Sequence, residues 1–350
     1  MTDTVFPAWT WVVGFLFGAA VGSFLNVVIY RLPRGLSINN PKNSFCPSCK
    51  HRLGLLDLVP LLSWVLLGGK CRHCKAKVSS RYFIVELINA SLWAVIWYQK
   101  FVVESDPMLA TPLSFGEATA FAVAHSLFAS ALVAAIFTDL AHYIIPDQVN
   151  AFMLAVGLAL NVALIGLASP AAWMWGMPSS VAGALVGWGV LWGIAFVGRL
   201  VFRKDAMGHG DIKMARGIGA VLLPAAALLS FGLAVVLGAV MGIVTVLLRR
   251  RSDHDEGDDG PYEPESFGSL MKCGVGYFLC FDVIGLAFPK FYESWFGENP
   301  YSIEELEEEP KVELTMIPFG PYLAAGALVA LLADEWLLGL WSAYWKNMGL

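Results

Sequence analysis

Two aspartates stand at the edges of apolar runs: Asp139 closes one, and Asp211 follows another within Gly208-His209-Gly210-Asp211. Ionisable groups at the borders of membrane spans are functional candidates. If the fold brings them together, the two carboxylates can share one proton, one acting as base and the other as acid. The base would draw a proton from water while the acid hydrogen-bonds a carbonyl and stabilises the developing tetrahedral charge. That chemistry cleaves a peptide bond without a covalent intermediate. Gly208 and Gly210 permit close backbone approach, so an extended substrate could lie beside Asp211.

A second group of residues offers metal chemistry. Cys46-Pro47-Ser48-Cys49 and Cys71-Arg72-His73-Cys74 are two Cys-x-x-Cys pairs in one short segment. Each pair can form a knuckle offering two thiolates to tetrahedral zinc, and four thiolates make a closed, structural site. Cys46, Cys49, Cys71 and Cys74 are therefore the expected ligands of one Zn2+ ion. Cys273 and Cys280 read as ordinary small apolar residues, and His73 as a surface residue between two ligands.

These groups must be positioned by membrane helices. Of the 350 residues 57% are hydrophobic and only 15% are charged. An all-α polytopic membrane protein is expected, with about eight transmembrane helices and a small cytoplasmic zinc-binding module after the first. Each crossing needs about 20 mostly apolar residues. The candidate spans are 8–30, 83–103, 118–138, 149–168, 180–201, 213–228, 230–248 and 318–338, the first being a retained signal anchor.

Segment 31–81 holds ten Lys and Arg residues against one acid, Asp57. Short loops rich in Lys and Arg face the cytoplasm, so this segment is placed inside, and counting spans puts Asp139 and Asp211 at cytoplasmic helix ends. The same rule accounts for the basic loop without nucleic acid. The expected division is a first anchor (1–30), the zinc module (31–82), a membrane core (83–250), an acidic insertion (251–315) and a last helix with the C-terminus (316–350).

The insertion carries the net charge. Segment 253–313 has sixteen acids and three bases, a net of −13 in a chain whose total is −5. Its acidic runs read as solvated chain, or as a surface that attracts a basic peptide. The apolar piece at 267–288, interrupted by Lys272 and Asp282, reads as an interfacial or partly buried helix. Asp147, after Pro146, could be a third acid but reads first as a helix-start cap. Lys213 could act on Asp211 through its charge or snorkel to the interface.

The order of these motifs resembles a known family, the type IV prepilin peptidases, also called leader peptidase/N-methyltransferases. The resemblance rests on Gly22-Ser23-Phe24-Leu25-Asn26, the paired Cys-x-x-Cys, Gly69-Lys70-Cys71, and Ser80-Arg81-Tyr82 leading to Glu86. It continues through Asp139 with Ile145-Pro146-Asp147, Gly208-His209-Gly210-Asp211, and Pro318-Phe319-Gly320-Pro321. It implies an aspartic peptidase of the bacterial inner membrane, with Asp139 and Asp211 catalytic. The implied substrates are prepilins of type IV pili or pseudopilins of type II secretion, which carry short basic leaders. It also implies methylation of the new N-terminus from S-adenosylmethionine, with Glu86, Gly69 and Lys70 as candidate cofactor residues. His209 stands where the family usually has an aromatic residue, and Phe83 where it has proline. Two other readings stay open: a different Gly-x-Gly-Asp intramembrane protease, and a non-catalytic zinc-dependent membrane scaffold.

Overall fold

The computed structural model describes residues 7–41, 43–46, 48–102, 113–203, 207–249, 266–297, 300–301 and 318–333. The acidic runs at 253–265 and 302–313, and the end of the last expected span, lie outside these residues. The helices are α1 (Trp11–Arg31), α2 (Leu62–Leu66), α3 (Ser80–Trp97), α4 (Phe115–His142), α5 (Asp147–Gly166), α6 (Ser179–Phe202), α7 (His209–Arg249), α8 (Phe267–Phe278), α9 (Phe281–Ala287), α10 (Pro289–Phe296) and α11 (Gly320–Leu332). A two-stranded antiparallel hairpin, β1 (Trp173–Met174) and β2 (Met177–Pro178), turns the chain from α5 into α6.

Local sequence fixes the helix ends. The hydroxyl of Ser114 caps α4, and Glu117 reaches back to the Ser114 amide in a capping box. Ser79 caps α3 by accepting from the Arg81 N–H. At the other end of α4, Tyr143 takes a left-handed conformation and turns the chain into α5.

Five of the described helical segments are long and apolar enough to cross a membrane: Ala8–Arg34, Phe115–His142, Asp147–Gly166, Ser179–Phe202 and His209–Thr245. This is a multi-pass membrane protein. The count differs from the expected eight for physical reasons. Helix α3 carries Arg81, Glu86 and Asn89 within 18 residues, and α11 has 13 described residues. The two spans expected at 213–228 and 230–248 form one helical run, α7, broken at Leu223 (φ 63°, ψ 169°) just before Pro224. At about 1.5 Å per residue the 41 residues of α7 would measure about 60 Å unbroken, twice the apolar thickness of a bilayer.

The break folds α7 back on itself. A Cβ on Gly210, at its start, would meet Ile145, and one on Gly320 would meet Ile145 and Asp139. Gly238, far beyond the break, faces Phe319 and Tyr322. Both limbs of α7 therefore return to the level of the α11 start.

Without a hydrophobic driving force between helices, membrane bundles pack through small residues. The first limb of α7 follows this rule against α6. A Cβ on Gly183 would collide with the Gly219 carbonyl, and one on Gly187 with the Ala215 carbonyl. On α1, Gly22 sits so close that an added Cβ would lie 2.8 Å from Glu86 Cα of α3.

The apolar piece of the insertion is not a single interfacial helix. Helices α8 and α9 meet at a 74° bend, and α10 returns from it. Cys280 and Val283 pack on Leu154 of α5, Ala184 of α6 and Ala220 of α7, whereas Trp295 of α10 hydrogen-bonds the Lys272 carbonyl of α8. The piece enters the bundle and comes back.

The α6–α7 seam yields a direct expectation. Gly183→Leu should force the two backbones apart and cost at least about 1–3 kcal/mol, as overpacked cores do. Thermal unfolding in detergent should show a lowered midpoint, while Gly189→Leu, which meets nothing within 4 Å, should leave it near wild type.

Candidate active site

The carboxylate of Asp139 lies on the last turns of α4 and is buried, at 5% exposure. Asp211 lies on the first turn of α7 and is half-buried. The structure brings the two to one place: Ile145 lies against Gly210, next to Asp211, and beside the spot where Gly320 meets the Asp139 carboxylate. The Gly320 amide at the start of α11 is directed at the Asp139 carboxylate, which leaves no room for a side chain there. Three separate helix ends thus meet at one point.

The two glycines of the turn differ in duty. Gly208 is adjacent to the Asp211 carboxylate, whose Oδ2 lies 3.3 Å from where a Cβ would be, and its carbonyl accepts the Asp211 N–H at 3.2 Å. Gly210 packs on Ile145, and its carbonyl accepts a 3.5 Å hydrogen bond from Asn150 Nδ2. Asn150 was not singled out in the sequence. A buried Asn one turn into α5, just after Ile145-Pro146-Asp147, is the signal that could have pointed to it.

The charges beyond Asp211 are arranged differently from expectation. Lys213 is buried and pairs with Asp147 at 2.7 Å, so it neither snorkels nor serves Asp211. Tyr292 of α10 donates to the same Asp147 and accepts from Lys213 at 3.0 Å. The rings of Tyr277, Tyr292 and Phe296 surround the Lys213 ammonium at 5.1, 5.6 and 5.8 Å. Asp147 begins α5 as expected and is also the counter-ion of Lys213.

Farther along α7, Arg216 makes a two-pronged pair with Asp282 of α9, at 3.0 and 2.5 Å, with both side chains 4% exposed. Its guanidinium also donates to the Tyr277 carbonyl. His209 stands edge-on to Tyr277 at 5.8 Å, at the aromatic lid of this network. His142 faces Arg34 of the basic loop, 3.5 Å from its guanidinium.

The four cysteines also converge. The sulfurs of Cys46, Cys49, Cys71 and Cys74 all lie within 4.8 Å of one another, a cluster able to hold a metal ion. Each pair sits on a tight turn closed by backbone bonds, Lys50 N to Cys46 O at 2.8 Å and Lys75 N to Cys71 O at 3.1 Å. Lys50 and Lys75 take the left-handed conformation at the end of each turn. The Cys49 N–H, above all, lowers the Cys46 thiol to about 7, towards the thiolate a metal requires. Thiolate donors at this spacing suit zinc.

Between this cluster, α1 and α3 lies a cavity of about 400 Å³ lined by Asn26, Tyr30, Asp57, Trp64, Lys70 and Glu86 among others. Glu86 Oε2 accepts the Leu61 N–H at 2.7 Å. The Asn26 carboxamide oxygen is buried with no partner among the described residues. Arg72 holds the Asp57 carboxyl below the usual carboxylate range through a 2.6 Å hydrogen bond. Gly69 does not line the cavity. It supports it from behind, its left-handed backbone (φ 64°) set against the Trp64 ring.

With the aspartates, the glycine turn and the cysteine cluster in place, the family comparisons are decisive. The model of the type IV leader peptidase family matches residues 126–243, and that of the bacterial peptidase A24 N-terminal domain matches 16–100. The chain belongs to the type IV leader peptidase family. It is similar to the prepilin leader peptidase/N-methyltransferase of Aeromonas hydrophila, 36% identical over 71% of this chain and 85% of that protein. The protein of that name from Myxococcus xanthus is 33% identical over 92% and 90%, and that from Pseudomonas aeruginosa 32% over 71% and 84%. No solved structure matches the chain. Family membership makes this chain a peptidase, and both aspartates fall inside the matched peptidase region.

The buried pair offers a sharp test of the network. Asp282→Asn leaves the Arg216 guanidinium without its counter-ion in an apolar interior and should destabilise the fold by about 3–5 kcal/mol. The double variant Asp282→Asn with Arg216→Gln should recover much of that loss, read as the midpoint of denaturant unfolding in detergent.

Proposed function

We propose that this protein cleaves the basic leader from prepilins or pseudopilins at the cytoplasmic face of the bacterial inner membrane, with Asp139 and Asp211 as the catalytic dyad. The observation that carries the reading is the meeting of Asp139, the Gly208–Asp211 turn and the Gly320 amide at one end of the bundle. One carboxylate takes a proton from water and the other, protonated, hydrogen-bonds the scissile carbonyl. The protons belong to the pair. The Gly320 N–H fixes the Asp139 carboxylate so that its second oxygen faces the reacting water. Gly208 leaves the approach to Asp211 open to an extended backbone.

The chain passes the bilayer eight times in this reading, the two limbs of α7 counting separately and α3 and α11 completing the set. The basic segment 31–81 then faces the cytoplasm together with the dyad. The broken α8–α10 piece dips in and returns on the same side, so it does not invert α11.

The second activity belongs to residues 31–82. The four cysteines hold a structural Zn2+ that shapes one wall of the cavity. The cavity suits S-adenosylmethionine, because its volume falls in the range of cofactor sites. Glu86, the free oxygen of Asn26 and the Tyr30 and Trp64 rings are the groups a sulfonium cation seeks. When bound, that cofactor supplies an electrophilic methyl group. Glu86 and Asn26 would orient the accepting N-terminus, and Lys70, also in the lining, would hold the cofactor's carboxylate.

Asp139→Asn and Asp211→Asn should each lower prepilin cleavage by about 10³-fold or more, since Asn keeps the shape but cannot exchange a proton. A non-catalytic scaffold would keep full function in both variants. Cleavage is read by mass spectrometry of the purified protein incubated with a prepilin and labelled S-adenosylmethionine. Cys71→Ser should release the metal and abolish methyl incorporation while cleavage continues, and Glu86→Gln should do the same without loss of metal. Loss of cleavage in Cys71→Ser would contradict the division into two sites.

A further inference from the structure

Residues 55–66 present a ridge of leucines that none of the described residues covers. Leu55, Leu56 and Leu66 are 88%, 72% and 81% exposed, and Leu62 and Val65 are more than half exposed. So large an apolar patch on one short segment marks a surface with a partner.

The position of this segment identifies the partner. Its backbone is tied to α3 below that helix's start: the Leu61 N–H donates to Glu86, and Trp64 packs its ring on Phe83 at 5.1 Å. Glu86 lies six residues past Ser80, about 9 Å down the helix axis. Leu61 takes a φ of 62°, uncommon for a branched side chain, and in that conformation its amide turns inward to the carboxylate. The ridge therefore hangs beside the first two turns of α3, whose own Ile84, Leu87 and Ile88 are exposed on the bundle surface. The exposed apolar side chains of α3 and of the ridge thus lie on neighbouring elements. Lys70, Arg72, Lys75 and Lys77, on the adjoining part of the same module, are all exposed, and three of them line the cavity together with Asp57, Ser63 and Trp64 of the ridge segment. A basic rim beside an apolar wedge matches anionic headgroups beside acyl chains.

We propose that residues 55–66 are an interfacial wedge seated among the lipids of the leaflet at the dyad end of the bundle, so that the bilayer anchors the cysteine module. The inference needs only that the bundle crosses a bilayer and is independent of the reaction catalysed. It has a structural consequence, because Asp57, Ser63 and Trp64 of the same segment line the 400 Å³ cavity. Lipid holds that wall in place.

The test uses the full-length, zinc-loaded chain in vesicles containing phosphatidylglycerol. Nitroxides are placed on Leu56→Cys or Leu66→Cys in a Cys273→Ala, Cys280→Ala background, with zinc content verified. Collisions with oxygen should exceed collisions with a water-soluble nickel chelate several-fold at both positions, and the ratio should reverse for Lys75→Cys. Chelate dominating at both ridge positions would overturn the proposal. So would an apolar signal that arises only when a prepilin is added, since the ridge would then be a substrate surface. Should the labelled chains lose zinc, quenching by acyl-brominated lipid decides instead. A Leu56→Trp variant should be quenched more than the wild-type protein by the contribution of the added ring, and equal quenching would refute the wedge.

Discussion

Backbone contact between α6 and α7 is the constraint on which the rest of the bundle depends. Gly183 against Gly219, and Gly187 against Ala215, let two helices approach until their carbonyls and Cα atoms touch. In lipid, where apolar side chains gain nothing from leaving the solvent, this close packing is the main source of cohesion. It fixes the first limb of α7 along its length. Asp211, on the first turn of that limb, inherits its position from the seam rather than from its own loop.

A rigid first limb creates a second requirement. Lys213 and Arg216 are buried cations on it, and a buried charge without a partner is strongly unfavourable. Their partners come from three other elements: Asp147 from the start of α5, Asp282 from α9 and Tyr292 from α10. The insertion therefore does structural work inside the membrane domain, although its composition marks it as the most polar part of the chain. The same contacts place an aromatic layer of Tyr277, Tyr292 and Phe296 beside the turn that bears Asp211, with His209 at its edge. The family's usual aromatic residue at position 209 is replaced by one that can still stack against Tyr277.

Much of this was legible in the sequence, and the part that was not has a common cause. Periodic apolar runs gave the helices, and Cys-x-x-Cys pairs gave the cluster, because both are local patterns. A break within α7 was also legible, although it falls at Leu223 rather than near 229; Pro224 was its signal, since proline cannot donate within a helix. Partner choice was not legible. Asp147 and Lys213 are 66 residues apart, as are Arg216 and Asp282, and no local pattern links them. The general rule that an ionisable residue in an apolar stretch needs a partner applied to Lys213, Arg216 and Asp282 alike. Applied jointly, it would have taken the piece at 267–288 off the interface and into the bundle. Gly320 entered only through the family resemblance, and its reason is steric: its missing side chain makes space for the Asp139 carboxylate.

The two candidate sites sit at the same end of the molecule but obey opposite physical rules. The dyad is built from helix ends, where backbone geometry is stiff and an added methyl at Gly320 would displace a carboxylate. The cavity beside the cysteine cluster is walled partly by loop, with α2 only five residues long and the pairs joined through turns. Loop of that kind gains order from whatever binds it, and two such agents are proposed, a metal at the four sulfurs and lipid beneath Leu55–Leu66. A site that is ordered from outside can be lost without disturbing the helix seam. Cleavage and the proposed methyl transfer are therefore expected to fail independently.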